Sequence, residues 1–342
     1  MEKTIQRNQL WDLFKGIFAI GVVLVHFPFP GAVGKILASI GVMGVIFFFL
    51  ISGYQSYSTD GSSADRLLAR VKRNFRLTVI AVLVYFVFTV IQQLIHGTFG
   101  EWITNFLNPI TYIRMIVLGD FTLINADALW FMPALLYCYL ILYIMEKKRW
   151  NKYFYAALPF LLLLRIGMET YTNSFSNISW LDWHFSGNFL VGGLPIMLLG
   201  NYLRSKEESF KKLDGKFVIA MASISALLMF LFVNVKVFSL DISQPFKIAA
   251  ALFIFICCLK FCNCGGVGFI NTLGRKYTLY IYLYHYLIGN VISELFTAAA
   301  LPAFCKDYIL PVCAVVVSLA VSAAIVGISD RIKGRKKKKD PN

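Results

Sequence analysis

Residues 8–54 read NQLWDLFKGIFAIGVVLVHFPFPGAVGKILASIGVMGVIFFFLISGY. Two hydrophobic segments lie in this stretch, and the first holds Asp12, Lys15 and His26. An ionisable group at the centre of a membrane helix costs roughly 2.5–3.5 kcal/mol on insertion scales, so such groups face a protein interior or a wet cavity. Lys15 and His26 are eleven residues apart, about three turns at ~3.6 residues per turn. They share one helix face and are separated by roughly 16 Å at ~1.5 Å per residue. Asp12 falls within a turn of Lys15 on nearly the same face. The stretch predicts a membrane helix with a polar stripe on one side, followed by a second membrane helix.

The remainder of the chain has the same character. Of its 342 residues 58% are hydrophobic and 15% charged, against roughly half and a quarter in soluble domains. Several apolar runs approach twenty residues, which predicts an all-α polytopic integral membrane protein. The short alternating segments of a β-barrel are absent. Ten transmembrane helices are expected, near 9–28, 36–57, 75–95, 127–145, 153–171, 189–203, 216–235, 246–262, 277–296 and 308–330. With the N-terminus in the cytoplasm, five of the 33 Lys and Arg fall outside (Lys35, Arg114, Lys236, Lys247, Lys306) and two within spans (Lys15, Arg165). The other 26 fall on the cytoplasmic side. This asymmetry follows the positive-inside rule and puts the C-terminus in the cytoplasm as well. The net charge of +15 then reflects topology, and no nucleic-acid partner is expected. Residues 1–332 form the expected transmembrane domain, and 333–342 a basic cytoplasmic tail lying against anionic headgroups of the lipid bilayer.

Cys257, Cys258, Cys262 and Cys264 crowd the end of span eight. A tetrahedral metal site there needs a loop to fix it, and no histidine is near, so they read as packing cysteines and no metal is expected. The basic and apolar N-terminus has the outline of a signal peptide. Lys15 interrupts its apolar run, and a retained span is expected.

Further candidates follow in order. Gly41, Gly44 and Gly53 of span two permit close helix approach. Ser52 and Tyr54 lie near the cytoplasmic end of that span, where interfacial tyrosines are ordinary. Arg66, Arg70, Lys72, Arg73 and Arg76 crowd eleven positions. Arg73 and Arg76 are adjacent on a helix surface. They serve either as a topology signal on lipid phosphates or as guanidinium forks for a phosphorylated cytosolic ligand. Pro109–Leu118 is apolar but too short to span, which suits an interfacial or re-entrant helix. Asp127 and Trp130 sit at the outer boundary of span four, and Arg165 and Glu169 form an expected intrahelical ion pair. The outer loop with Trp180, Asp182, Trp183 and His184 reads equally as a sugar-stacking surface and as ordinary membrane anchors. GGVG near residue 265 lacks the Gly-Lys-Ser/Thr ending of a phosphate loop. His285, near the middle of span nine, reads first as a packing histidine bonded to surrounding tyrosines.

Taken together, five motifs resemble membrane acyltransferase family 3, whose members acylate exported glycans and other small molecules. They are Lys15, ten residues and His26; FFLISGY at 48–54; RNFR at 73–76; LWFM at 129–132; and LGRKYTLYIYLYH at 273–285. The likeness spans nearly the whole chain. It implies cytosolic acyl-CoA, most simply acetyl-CoA, as co-substrate, with no permanently bound cofactor. It implies a hydroxyl acceptor on a cell-envelope glycan or lipid-linked sugar. His26 would lead the chemistry, Asp12 would be a second catalytic candidate, and Lys15, Arg73 and Arg76 would hold the donor. Ser52, Tyr54, Trp130 and His285 would support the site, and the loop with Trp180, Asp182, Trp183 and His184 would lie on the acceptor side. Position 15 often holds arginine in this family; lysine keeps the charge and loses the bidentate fork. Some members carry an added hydrolase-like domain, and the expectation here is the membrane domain alone. The expected location is the cell membrane, a bacterial inner or plasma membrane.

The residues fit this implication on their own terms. A thioester donor has anionic phosphates at one end and a reactive carbonyl on a long arm. A cation near the cytoplasmic surface and an imidazole three turns deeper match such a ligand. The imidazole acts either as a general base or as a transient acyl carrier. Asp12 balances Lys15 or orients a basic residue. A secondary transporter or flippase without covalent chemistry also uses intramembrane charges, and a structural or regulatory subunit is a third, weaker alternative.

Overall fold

The computed structural model describes residues 8–57, 63–174, 183–235, 237, 240–264, 266 and 268–339, with side chains through 332. Among them no strand forms, and ten helices reach twelve residues or more. These are α1 (Gln9–His26), α2 (Gly31–Tyr54), α3 (Ser63–Ile95), α4 (Phe131–Lys148), α5 (Asn151–Ser174), α6 (Leu194–Ser205), α7 (Gly215–Phe232), α8 (Gln244–Lys260), α9 (Thr278–Ala298) and α10 (Leu310–Lys339). Each of the ten expected spans overlaps one of them. Six, alone or with the turn before them, are long and apolar enough to cross a membrane: Gln9–His26, Gly31–Tyr54, Ser63–Ile95, Asp127–Lys148, Gly215–Phe232 and Cys305–Ile332. The other four are shorter or more polar. α6 and α8 have 12 and 17 residues. α5 carries Pro159, Arg165 and Glu169, and α9 carries four tyrosines, His285, Asn290 and Glu294.

α3 begins well before the expected boundary at residue 75. Its 33 residues make roughly 50 Å of helix at ~1.5 Å per residue, against a hydrocarbon core of ~30 Å. No Pro or Gly interrupts Ser63–Ile95, so the basic segment and the apolar run fold as one rod. Pro109–Leu118 is helical, ending in a π-turn closed by left-handed Gly119. At ten residues it covers about half of a bilayer core.

The chain gathers into two compact units, Met1–Gly44 with Cys258–Asn342, and Val45–Cys257. The boundaries fall inside α2 and α8. In the first unit Asn8 caps α1: its Oδ1 accepts from Trp11 N at 2.8 Å, and its Nδ2 donates to the Cys258 carbonyl at 2.6 Å. Ala19, Val23 and Phe27 of α1 share a buried core with Leu273, Ile281, Leu310 and Ala314. Glycines set the closest approaches. A Cβ on Gly274 would overlap the Asp12 carbonyl, and one on Gly41 would overlap the Gly21 carbonyl. Gly44 likewise rests on Phe18, so the tight packing expected of these α2 glycines is present.

In the second unit Gly53 lies against the Met197 carbonyl and Gly200 against the Leu50 carbonyl. α3 turns Leu67, Asn74, Thr78, Ala81, Tyr85 and Thr89 inward. The polar members of that face are satisfied, as buried groups must be. Asn74 Nδ2 donates to the Met132 carbonyl at 2.8 Å, and Thr89 Oγ1 donates to the Ile124 carbonyl at 2.8 Å.

Candidate functional site

The polar stripe of α1 begins with an ion pair. Lys15 Nζ stands 2.9 Å from Asp12 Oδ1, one helical turn apart. Asp12 is only 5% exposed, so Lys15 supplies the countercharge that a buried carboxylate requires. Beside this pair lies an open cleft of about 260 Å³, bounded by Gln9, Asp12, Asn271, Thr272 and Arg275. Its floor exists because Gly274 lets the π-turn Leu273–Tyr277 reach the backbone of α1. Arg275 is exposed there. Sequence reasoning assigned Arg275 no role; its place in LGRKY was the available signal.

At the other end of α1 stands His26. Its ring centroid lies 5.2 Å from that of His285 and 5.0 Å from that of Tyr286, which meets it edge-on. His285 is fully buried. Its Nδ1 lies 3.0 Å from the Ile281 carbonyl and 2.9 Å from the Tyr282 carbonyl. Carbonyl oxygens only accept, so Nδ1 is the protonated nitrogen and donates. This corrects the expectation of tyrosine partners, because the helix's own backbone holds the ring. Nε2 of the neutral ring therefore carries a lone pair, and it is buried with no hydrogen-bond partner.

The supporting residues of α2 are held in the second unit. Tyr54 is buried. Its hydroxyl accepts from Arg204 Nη1 at 2.9 Å, and the guanidinium lies 5.0 Å over its ring. Arg204 in turn pairs with Glu207, and Glu207 with Lys211 at 2.5 Å. Burial alone would raise the Glu207 carboxyl. Hydrogen bonds from Lys211 and Tyr54, with the charges of Arg204 and Lys211, hold it below the usual carboxylate range. Ser52 offers its carbonyl to Ser56 Oγ at 2.6 Å. Arg73 and Arg76 flank the buried stripe of α3 and are exposed. They belong to the second unit, whereas Lys15 belongs to the first.

A second cluster forms before α4 and α6. Trp183 stacks on His184 with centroids 4.0 Å apart and meets Trp130 edge-on at 6.1 Å. His184 Nε2 lies 3.4 Å from Asp120 Oδ1. Asp120, Asp127 and His184 each place one ligand atom within 4.8 Å of the others. Two carboxylates and an imidazole are donors that a divalent cation uses. Asp120 is already engaged, by Arg114 Nε at 2.7 Å and by Thr122 Oγ1 at 2.5 Å. Sequence reasoning missed Asp120 because its link to His184 is long-range. Trp180 and Asp182 lie outside the described residues.

Burial would raise the Asp120 carboxyl, but the bonds from Thr122 and Arg114 and the nearby His184 outweigh it and hold the pKa down. A depressed carboxylate stabilises the fold fully above its unfolded pKa of ~3.9, and that contribution is lost as pH falls through the lower folded value. Tryptophan emission from Trp183 and Trp130 should therefore change below about pH 4, and Asp120→Asn should remove that transition.

A helical membrane protein emerges, with an ion-paired cation at one end of α1 and two facing imidazoles at the other. A comparison with protein families matches the description "Acyltransferase domain" over residues 8–328. The chain belongs to acyltransferase family 3 and is a membrane acyltransferase. Comparisons with curated proteins and with solved structures returned no match.

Proposed function

We propose that this protein is an integral membrane O-acyltransferase. It moves an acyl group, most simply acetyl, from cytosolic acyl-CoA to a hydroxyl of a cell-envelope glycan or lipid-linked sugar. The observation that carries this reading is α1 itself. An open cleft with Arg275 adjoins the Lys15–Asp12 pair, and His26 lies roughly 16 Å further along the helix at ~1.5 Å per residue. Phosphates need the cations, the arm needs the length, and the thioester needs the imidazole. Ten crossings of a bacterial inner or plasma membrane with both termini cytoplasmic accord with the charge asymmetry of the loops. No cofactor stays bound in this scheme, and acyl-CoA is consumed as co-substrate.

The reading is tested by incubating membranes that contain the protein with radiolabelled acetyl-CoA and a lipid-linked sugar or surface glycan. Alkali-labile label in the sugar is the expected result. Sugar carried into vesicles without acyl-CoA consumption, and no labelled product, would replace this reading with a transporter.

Arg73 and Arg76 are assigned to the phosphates of the donor. A hydrogen bond to a charged group contributes about 1.5–3 kcal/mol, so replacing both by alanine should raise the apparent donor KM by roughly 10- to 100-fold. An unchanged KM in correctly inserted protein returns the pair to a topology signal.

A further inference from the structure

We propose that His285 is the positioning partner of His26, an inference that rests on the acyltransferase reading and deepens it. With substrate bound, its Nε2 lone pair accepts a hydrogen bond from the N–H of the His26 ring. That bond fixes the His26 tautomer and steadies the imidazolium formed during transfer.

Three observations carry this. The ring of His285 cannot turn to serve itself, because its Nδ1–H is spent on the carbonyls of Ile281 and Tyr282 at 3.0 and 2.9 Å. Its Nε2 is a buried acceptor with no partner, a state that native proteins seldom leave unresolved. The neighbouring imidazole is that of His26, 5.2 Å away between centroids with the planes at 45°. Tyr286 packs edge-on against His26 and Phe27 lies 6.0 Å from Tyr286. Tyr286 thus backs the His26 ring and holds the imidazole near His285. Catalytic hydrogen bonds are commonly long in the ligand-free state and tighten once substrate is bound.

The arrangement repeats the logic of a base oriented by a third group, with a neutral imidazole where a carboxylate often stands. The acceptor hydroxyl gives its proton to the free nitrogen of His26 as its oxygen bonds to the thioester carbonyl carbon. The C–S bond then breaks, and the leaving thiolate takes that proton. His26 returns to neutral, and His285 holds its own proton on Nδ1 throughout. A buried carboxylate in place of His285 would bring an extra charge into an apolar core, and the imidazole avoids that cost.

The test uses the purified full chain. His285→Phe keeps an aromatic ring and deletes the acceptor; His285→Gln restores an acceptor oxygen. His285→Phe should lower kcat about 100-fold, the scale of a lost general-base alignment, with donor and acceptor KM unchanged. His285→Gln should recover most of that loss. Ring ¹⁵N spectra recorded with coenzyme A and the acceptor sugar present supply a readout independent of turnover: His26 should show one tautomer in the native protein and a mixture in His285→Phe. If His285→Phe fails to fold, the Gln variant and the native spectrum decide. Full kcat in His285→Phe, equal losses in Phe and Gln, or mixed tautomers in the native protein would overturn the inference. Absence of acyl transfer by the native protein would instead overturn the functional reading.

Discussion

His26→Ala should abolish acyl transfer in membranes that hold the variant at the native level. A positioned general base contributes about 10²–10⁴-fold, and deletion of the leading imidazole should remove at least ~10³-fold. The residue sits in the last turn of α1 and is half-buried, so its ring contacts with His285 and Tyr286 can be lost while the helix keeps its buried core. Folding and insertion should survive, which makes activity the clean readout. Label trapping separates the two chemical roles. Incubation with radiolabelled acetyl-CoA and no acceptor, followed by a denaturing quench, leaves label on the protein only if His26 carries the acyl group. A base leaves none. Native rates in His26→Ala would move the chemistry away from α1 altogether.

Arg165→Met should destabilise the protein by about 3–5 kcal/mol, the cost of removing one partner of a buried ion pair. Arg165 is 4% exposed. Its Nη2 holds Glu169 at 3.0 Å, and its Nη1 donates to the Gly192 carbonyl. That carbonyl belongs to the π-turn Phe189–Gly193 that leads into α6, so one guanidinium fixes both the charge of α5 and the start of α6. Truncation frees the turn and leaves Glu169 with only Gln244 and the nearby Lys247. Glu169→Gln should cost less, because Gly192 keeps its donor. The double variant Arg165→Met with Glu169→Met should recover part of the loss, as replaced buried pairs do. Thermal unfolding in detergent, read by loss of the monodisperse peak, measures all three. An Arg165→Met variant as stable as the native protein would show that the pair is not a structural strut.

The sequence was most legible where the information is local. Apolar runs marked the position of each of the ten long helices among the described residues, six of which are long and apolar enough to cross a membrane; the bilayer penalises any unpaired backbone. The Arg165–Glu169 pair followed from helical spacing alone, and the same spacing left Asp12 either balancing Lys15 or orienting a basic residue. Gly41, Gly44 and Gly53 announced close packing through the absence of side chains. Boundaries were harder, as α3 shows: the start of a helix was hidden where charge replaced apolarity without any breaker. Tertiary partners were out of reach. Nothing near Tyr54 points to Arg204, and nothing near His184 points to Asp120. His285 was visible as a residue, but its bonding was not, because four nearby tyrosines made a competing account that only coordinates exclude.

The continuous rod of α3 has a consequence for depth in the bilayer. Roughly 20 Å of it exceeds a ~30 Å hydrocarbon core, and Arg66, Arg70, Lys72, Arg73 and Arg76 crowd that overhang. Arg70 is tied inward, to the Gln55 carbonyl at 3.2 Å, while Arg73 and Arg76 project freely. A cation at the headgroups is worth about 1 kcal/mol near an anionic leaflet, and Arg66 and Lys72 would supply it where Arg73 and Arg76 are given over to the donor. A thinner membrane cannot be met by sliding the rod along the normal, since that would drag these cations into hydrocarbon. Tilt is the remaining adjustment, so thinning of the lipid should register in this protein as an angle rather than as a height.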